Sequence, residues 1–364
     1  MFDVKRLEPG LTAAWDAFCD AQPDAWIWHA SLFAGQVRCL PGFSKDLRFV
    51  LVDRRGDIVA AVPLYLCANG LDGALECNLG GWSLPFPAVS RDLDEKSREA
   101  ALRQVFETID GVAAQENALR VSMAVLPQQR LAHPAAATCN PLLDWPGYLQ
   151  RQERTIVLDL TSGAEHALAQ VRTRFARYVR SKAHALDLAV LRGREAVAAL
   201  EEYAVVERRD ATQHPCAARL AFKGALLEAG LAFLIRARAV AEDAACGFLM
   251  VLYDKGLAFD YAVAVDDAFK DLRVSHAMKF RAIEELAARG CAGYELGIYS
   301  GPPSLYRIPD AKQQGITYFK TGFSKQLATL YIAEKFYTRD YLRRVTRRRL
   351  AALEAALFPE PAHD

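Results

Sequence analysis

A lysine stands in the middle of an apolar and aromatic run, GITYFKTGFSKQL, Gly315 to Leu327. Read at a period of two, Ile316, Tyr318, Lys320 and Gly322 share one face, and Thr317, Phe319, Thr321 and Phe323 the other. β-branched and aromatic residues on both faces predict a strand covered on both sides. A cation fixed in a dry cleft stabilises the oxyanion of a tetrahedral intermediate. Phe319 and Phe323 would pack the opposite face and hold such a strand still. The competing reading is a lysine whose stem crosses the sheet edge while its ammonium reaches water.

Other side chains suit neighbouring roles. In AFDYAVAV, Asp260 and Tyr261 alternate between faces, so one of them looks into a core or cleft. Asp260 has the chemistry of a proton acceptor and Tyr261 of a donor to a leaving group; the alternative for Asp260 is a salt bridge to a neighbouring Arg or Lys. Glu295 and Tyr299 lie on the next strand, YELGIYS, with Glu295 a reserve base. The loop Asp266–Ala277 joins a strand to a helix N-terminus, where unpaired N–H groups attract phosphate. Lys270 and Arg273 add positive charge there, Ser275 caps the helix or binds a phosphate oxygen, and His276 follows; a solvated loop with a plain serine cap is the other reading. Arg172, Arg174, Arg177, Arg180 and Lys182 give a predicted helix a basic face suited to phosphate or carboxylate, or simply to solvent. Trp82, in NLGGWSLPFPAVS, stacks on a sugar or base, or packs in a rigid loop.

The elements that position these residues follow from periodicity and punctuation. The first part reads helix (AWIWHASLFAGQV), strands (LRFVLVD and DIVAAVPLYL, joined by a turn at Arg54–Gly56), a further strand (ALECNLGG), a long helix (DEKSREAALRQVFETIDGVAAQEN) and a strand (ALRVSMAVL). A proline-bearing connector spans 127–150. Helices, a three-strand meander (LAFLIRARAV, ACGFLMVLYD, GLAFDYAVAV), one helix and two final strands, GYELGIY and ITYFKTGFS, repeat that order on a larger scale. An arginine-rich run from Arg339 to Arg349 predicts a terminal helix that either packs through Tyr341, Leu342, Val345 and Leu350 or binds an anionic surface.

Composition sets the bounds. The chain has 364 residues, enough for two domains, and a formal net charge of +1, which argues for no particular partner. Its eight cysteines form no C-x-x-C pair, so reduced core thiols are expected and no zinc site. MFDVKRLEPG lacks the apolar segment of a secretory signal, and no run reaches roughly 18 uninterrupted apolar residues. A cytoplasmic protein without an integral membrane segment is expected.

Four stretches carry a resemblance: AWIWHASLF through AVPLYL, VRTRFARYVRSKAHALDLAV, VSHAMKFRAIEELAARGCAGYELGIYSG and YFKTGFS. In that order they resemble the double-GNAT transferases related to the Fem-type (FemAB-like) peptidoglycan bridge-forming aminoacyl transferases. The resemblance implies an α+β fold of two GNAT-like domains, each a mixed, mostly antiparallel sheet flanked by helices. These fall at 1–150 and 151–338, with a basic tail at 339–364. It further implies amide-forming N-acyl transfer to a primary amine of an amino sugar, cell-envelope precursor or small metabolite. Lys320, Asp260, Tyr261 and Glu295 are then the expected catalytic group. Lys270, Arg273, Ser275 and His276 would bind the donor; Trp82, Arg174, Arg177, Tyr299 and Phe319 would bind substrate. Acyl-CoA is the favoured donor and aminoacyl-tRNA the alternative, with no metal and with peripheral membrane contact allowed. Where a GNAT phosphate loop carries glycines, this chain reads KDLRVSHAMK with none, and the long helical arm of some Fem-type enzymes is missing. Those departures motivate a second class of function, a GNAT-like binding module without catalysis.

Overall fold

The computed structural model describes residues 2–80, 84–127, 129, 147–209 and 216–358. Trp82, most of the expected 127–150 connector and the last tail residues lie outside them. In chain order the first elements are β1 (Asp3–Arg6), α1 (Thr12–Ala21), α2 (Ala34–Arg38), β2 (Phe43–Asp46), β3 (Phe49–Val52), β4 (Ile58–Val62), β5 (Leu64–Ala68), β6 (Leu75–Leu79), β7 (Ala88–Val89), α3 (Glu95–Gln115) and β8 (Arg120–Val125). Then come β9 (Leu149–Asp159), α4 (Gly163–Ala169), α5 (Thr173–Lys182), β10 (Leu186–Leu191), α6 (Gly193–Ala198), α7 (Leu200–Arg209), α8 (Ala217–Glu228), β11 (Ala232–Ala239), β12 (Ala244–Asp254) and β13 (Leu257–Val265). The last are α9 (Val274–Ala288), β14 (Gly293–Ile298), α10 (Ala311–Lys320), β15 (Leu327–Phe336) and α11 (Arg339–Leu357).

These elements form two compact units that interleave in sequence rather than follow one another. The first holds residues 1–154, 299–317 and 329–364, the second 155–298 and 318–328. The terminal helix therefore folds with the first unit, where Tyr341 and Val345 are buried.

In the first unit, β1–β3–β4–β7 form one antiparallel sheet and β2–β5–β6–β8–β15 run in order in another. Pro63 separates β4 from β5 and splits the single expected strand DIVAAVPLYL between these two sheets. A proline has no N–H for a ladder, so it falls at a strand boundary. Helix α3 starts at Asp94, whose carboxylate accepts the Ser97 N–H at 2.7 Å. Its buried stripe, Ala101, Val105, Ile109 and Ala113, meets Leu66, Cys77, Val121 and Met123 in the main core.

In the second unit the order is β10–β11–β12–β13–β14–β9, and only β13–β14 is parallel. Successive strand residues face opposite ways, which places a helix on each side. Gly247 of β12 lies under Val274 and Met278 of α9, where a Cβ would collide, while its neighbour Phe248 packs edge-on to Tyr203 of α7. Gly290, at φ +73°, stops α9, and the Cys291 N–H closes back on Leu286 O at 3.0 Å.

A structural repeat is visible here. Each unit contains one parallel pair joined through one long helix, β6–α3–β8 and β13–α9–β14. Each pair is in register for only three residues: Glu76–Asn78 with Arg120–Ser122, and Leu257–Phe259 with Gly293–Glu295.

Two expectations for the C-terminal region are corrected. ITYFKTGFS is not a strand: residues 311–320 are α10, and Lys320 is its last residue. The Asp310 carboxylate accepts the Gln313 N–H at 2.7 Å while Gln313 Oε1 accepts the Asp310 N–H at 3.3 Å, a reciprocal cap that starts a helix. The final strand is instead LATLYIAEKF, β15, paired antiparallel with β8. Residues 163–182 form two helices, α4 and α5, and Ser162 precedes α4 without a capping hydrogen bond. AWIWHASLFAGQV forms two short 3-10 turns before α2. Of the described cysteines, Cys216 is exposed rather than in the core.

Candidate functional site

The site in the second unit begins where its parallel strands part. Pairing of β13 with β14 ends at Phe259 and Glu295, yet β13 runs on to Val265 and β14 to Ile298. Both strands bulge at this level. Val251 opposes Asp260 and Met250 opposes Ala262, so Tyr261 is the extra residue of β13. Val157 opposes Glu295 and Ile156 opposes Gly297, so Leu296 is the extra residue of β14. Bulges re-aim side chains and end pairing.

Asp260 stands at this split. Its carboxylate is ion-paired with Lys279 of α9, with side-chain exposures of 4% and 3%. Lys279 Nζ donates to the Tyr294 hydroxyl at 3.1 Å, and that hydroxyl lies 3.5 Å from Asp260 Oδ1. Burial lowers the proton affinity of Lys279 to about 8; Asp260 opposes this and the charge of Lys320 adds to it. Burial, and then the negative Asp260, push the Tyr294 hydroxyl well above its usual range. Asp260 is therefore bound in a closed triangle rather than standing as a lone base, and its partner comes from the helix rather than from the neighbouring strand. The buried Glu295 carboxylate accepts the Thr155 hydroxyl at 2.6 Å.

Lys320 reaches the same split from the end of α10. A Cβ at Gly297, where φ is +100°, would come 2.8 Å from Lys320 Nζ, so the backbone favours glycine there and any side chain would push the ammonium aside. Lys320 is half-buried, and its ammonium has no carboxylate partner among the described residues.

The rest of the YFKTGF run holds that ammonium in place. Phe319 and Phe323 pack 5.2 Å apart, and Phe175 of α5 lies 5.9 and 5.3 Å from them. A Cβ on Gly322 would overlap the Phe175 ring. Arg172 donates to Tyr318 O at 3.1 Å and to Thr321 Oγ1 at 3.2 Å, satisfying a carbonyl at the end of α10. Arg174 donates to the Tyr318 hydroxyl, and both guanidinium groups stack on that ring, at 4.4 and 5.1 Å. Arg174 is thus engaged with Tyr318, whereas Arg177 is exposed.

The loop before α9 differs from its expectation. Lys270 and Arg273 are exposed, and Ser275 does not cap the helix, whose N-terminus has no side-chain cap. The left-handed turn that glycine usually supplies is made by Arg273, at φ 59° and ψ 37°, with its guanidinium 4.9 Å from the Tyr178 ring. His276 lies edge-on to Phe175 at 4.4 Å and to Phe319 at 4.9 Å. Burial, then the charges of Arg273 and Arg174, lower its proton affinity to about 4. It is neutral at pH 7 and brings no charge to a phosphate.

That depression has a measurable sign. Unfolded His276 takes a proton near 6.5 and the folded form only near 4, so the associated stability is present above 6.5 and lost as pH falls toward 4. Replacement by phenylalanine suits the aromatic surroundings and removes the titration. His276→Phe is expected to lose about 1–2 kcal/mol less than the parent between pH 6.5 and 4 in denaturant titrations, allowing for solvent screening. Parallel pH profiles for the two proteins would refute it.

The second unit therefore sets Lys320 and Asp260 around Lys279, on which both charges act, while Glu295 bonds to Thr155, Tyr261 is the extra residue of β13, and Phe319 and His276 pack on Phe175. Tyr299 belongs to the first unit, donating its N–H to Arg154 O at 2.9 Å. Sequence reasoning missed Lys279, Tyr294 and Gly297. Lys279 had a signal: it stands three, four and seven residues before Ala282, Ile283 and Leu286, inside the apolar stripe of α9. Among the described residues no group of three His, Cys, Asp or Glu side chains could hold a metal ion, and no helix is long and apolar enough to cross a membrane.

No protein-family model and no curated protein sequence matches this chain. Solved structures share its fold. FemX aligns with a TM-score of 0.62 at 13% identity, over 94% of this chain and 100% of that one. L-PGS from Bacillus licheniformis aligns at 0.56 and 13%, over 95% and 98%. The C-terminal domain of a putative lysylphosphatidylglycerol synthetase from Agrobacterium fabrum aligns at 0.52 and 14%, over 93% and 95%. The expected Fem-like, double-GNAT fold is thereby established as a fold; at such low identity the likeness reaches no further.

Proposed function

We propose that the chain is an amide-forming acyltransferase. A primary amine attacks a carrier-bound acyl carbonyl directly, without a covalent enzyme intermediate. The observation that carries this reading is the half-buried Lys320 ammonium, seated over the Gly297 bulge without a carboxylate partner among the described residues. An ammonium neutralised by its own ion pair would have little to offer a developing oxyanion; this one is available to it. The proton released by the attacking amine passes to the Asp260–Lys279–Tyr294 triangle, whose ammonium titrates near 8. Glu295 is the second carboxylate within reach of the split strands.

The favoured donor is acyl-CoA. The uncapped N-terminus of α9, with left-handed Arg273 and exposed Lys270 beside it, suits a pyrophosphate. The acceptor class is an amine of an amino sugar, an envelope precursor or a small metabolite. Aminoacyl-tRNA is the second reading. It is supported by the glycine-free loop and by a protein of the same fold named for joining lysine to phosphatidylglycerol.

Thermal unfolding with acetyl-CoA, a longer acyl-CoA and an aminoacyl-tRNA tests the donor. Acyl-CoA at tenfold saturation is expected to raise Tm by about 3–5 °C, and Arg273→Gln to shrink that rise. A response to aminoacyl-tRNA alone would install the second reading. Binding without turnover would leave a binding module, and silence with every donor would sink both transfer readings.

A further inference from the structure

The terminal helix α11 is seated on the first unit by one side. Tyr341 and Val345 are buried, the Tyr341 hydroxyl donates to Glu76 and accepts from Asn69 Nδ2 at 2.7 Å, and Arg349 turns inward to Glu334 at 2.7 Å. Helix positions three or four apart are surface neighbours. One such row on the opposite side reads Arg339, Arg343, Arg347, Leu350, Glu354 and Leu357, and all six residues are exposed. Arg344 and Arg348, also exposed, flank its first half.

This outer side changes character along the axis. Arginines fill the first three turns, and apolar side chains follow: Leu350 is 47% exposed, Leu357 52% and Phe358, just past the helix end, 76%. A second apolar tip adjoins the basic half. Arg344 Nε lies 3.2 Å from Asp72 Oδ2 in the turn between β5 and β6, and the next residue in that turn, Leu71, is 71% exposed. The neutralising acids are few. Asp72 offsets Arg344, and Asp340 lies 3.9 Å from Arg343. Five exposed arginines against these two acids leave three positive charges on a chain whose formal net charge is +1. Glu354 belongs to the apolar half, and Glu360 and Asp364 follow later in the sequence, so the charge stays with the first three turns.

We infer that this side of the first unit docks on an anionic phospholipid bilayer. The guanidinium groups meet lipid phosphates, which suit their planar fork. Leu350, Leu357 and Phe358, with Leu71, enter the boundary between headgroups and acyl chains. Three net charges or a few exposed apolar residues alone hold a protein to a membrane weakly; together they give reversible docking. The two halves also argue against other occupants. A second copy of this helix would set arginine rows against each other, and a nucleic acid would cover the arginines but leave the leucines and the phenylalanine in water. The inference does not depend on the activity proposed for the second unit.

Cosedimentation of the full chain with vesicles tests it. Phosphatidylcholine vesicles carrying about 40% phosphatidylglycerol are expected to bind about 100-fold more tightly than phosphatidylcholine alone, each unbalanced arginine counting about fivefold. Raising the salt from about 0.1 M to about 0.5 M should release most of the protein. A variant with Arg343→Gln, Arg347→Gln and Arg348→Gln is expected to lose nearly all of that preference. One with Leu350→Ser, Leu357→Ser and Phe358→Ser should bind about tenfold more weakly. All six positions are exposed, so both variants fold. The control carries Arg180→Gln, Arg194→Gln and Arg208→Gln, exposed arginines of the second unit, and should bind like the parent. Equal binding to both vesicles, or an equal loss in the control, overturns the proposal. So does binding indifferent to the serine substitutions; if an RNA oligomer then binds more tightly than the vesicles, the helix is a nucleic-acid contact instead.

Discussion

Lys320→Met is expected to lower kcat for amide formation by about 10²–10³-fold while leaving the fold intact, the loss typical of removing one preorganised group from an oxyanion. Stability should change little, because the ammonium has no ion pair to lose and is half-buried. The one electrostatic consequence inside the protein is favourable: Lys320 depresses the proton affinity of Lys279, so its removal lets Lys279 hold a proton more firmly. The same loss should be reachable from the other side. Gly297→Ala puts a methyl 2.8 Å from Lys320 Nζ at φ +100°, displacing the ammonium and straining the bulge. Lys320→Arg keeps the charge but brings a broad planar fork to a spot that only glycine leaves open, so it should recover part of the rate at most. The kinetic split decides the role. A fall in kcat with donor KM unchanged means that the charge acts in the transition state; a rise in KM alone means that it anchors the donor. Full kcat in Lys320→Met would remove the residue from the mechanism.

Lys320 stood out in the sequence, but its element was not legible there, and the reason is local. The alternation of ITYFKTGF fits a strand, yet Ile316 and Tyr318 are exposed at 41% and 54%, and Thr317 is the one buried residue of α10. The decisive signal lay upstream, in the reciprocal cap of Asp310 and Gln313, within a stretch that reads as loop. Gly322 and the aromatic pair were recognisable as a motif, but their reason, the Phe175 ring from another helix, is a tertiary fact. The order of elements through β14 was largely readable because amphipathic helices and apolar strands are long there. Bulges were not: nothing in AFDYAVAV announces that Tyr261 is the extra residue, since that depends on register with β12. Nor does glycine-free KDLRVSHAMK announce that Arg273 makes the left-handed turn before α9 itself.

Lys279→Met is expected to destabilise the protein by about 3–5 kcal/mol, since it strands the buried Asp260 carboxylate with Tyr294 as its remaining partner in the triangle. The pH profile should change with it. In the parent, Lys279 titrates near 8 when folded and near 10.5 when unfolded. Its contribution is therefore present above 10.5 and lost as pH falls through 8. Lys279→Met removes this titration, so its stability should no longer fall as pH drops from 10.5 toward 8. Asp260→Asn together with Lys279→Met removes both charges and keeps a side-chain amide beside the Tyr294 hydroxyl. The double variant should recover to within about 1 kcal/mol of the parent, giving a large coupling energy. If the triangle accepts the proton of the attacking amine, this well-folded double variant still loses about 10²–10⁴-fold in rate and its rate loses the ionisation near 8. A double variant that folds and keeps both the rate and the pH profile would reduce the triangle to scaffolding and leave Glu295 as the base to test.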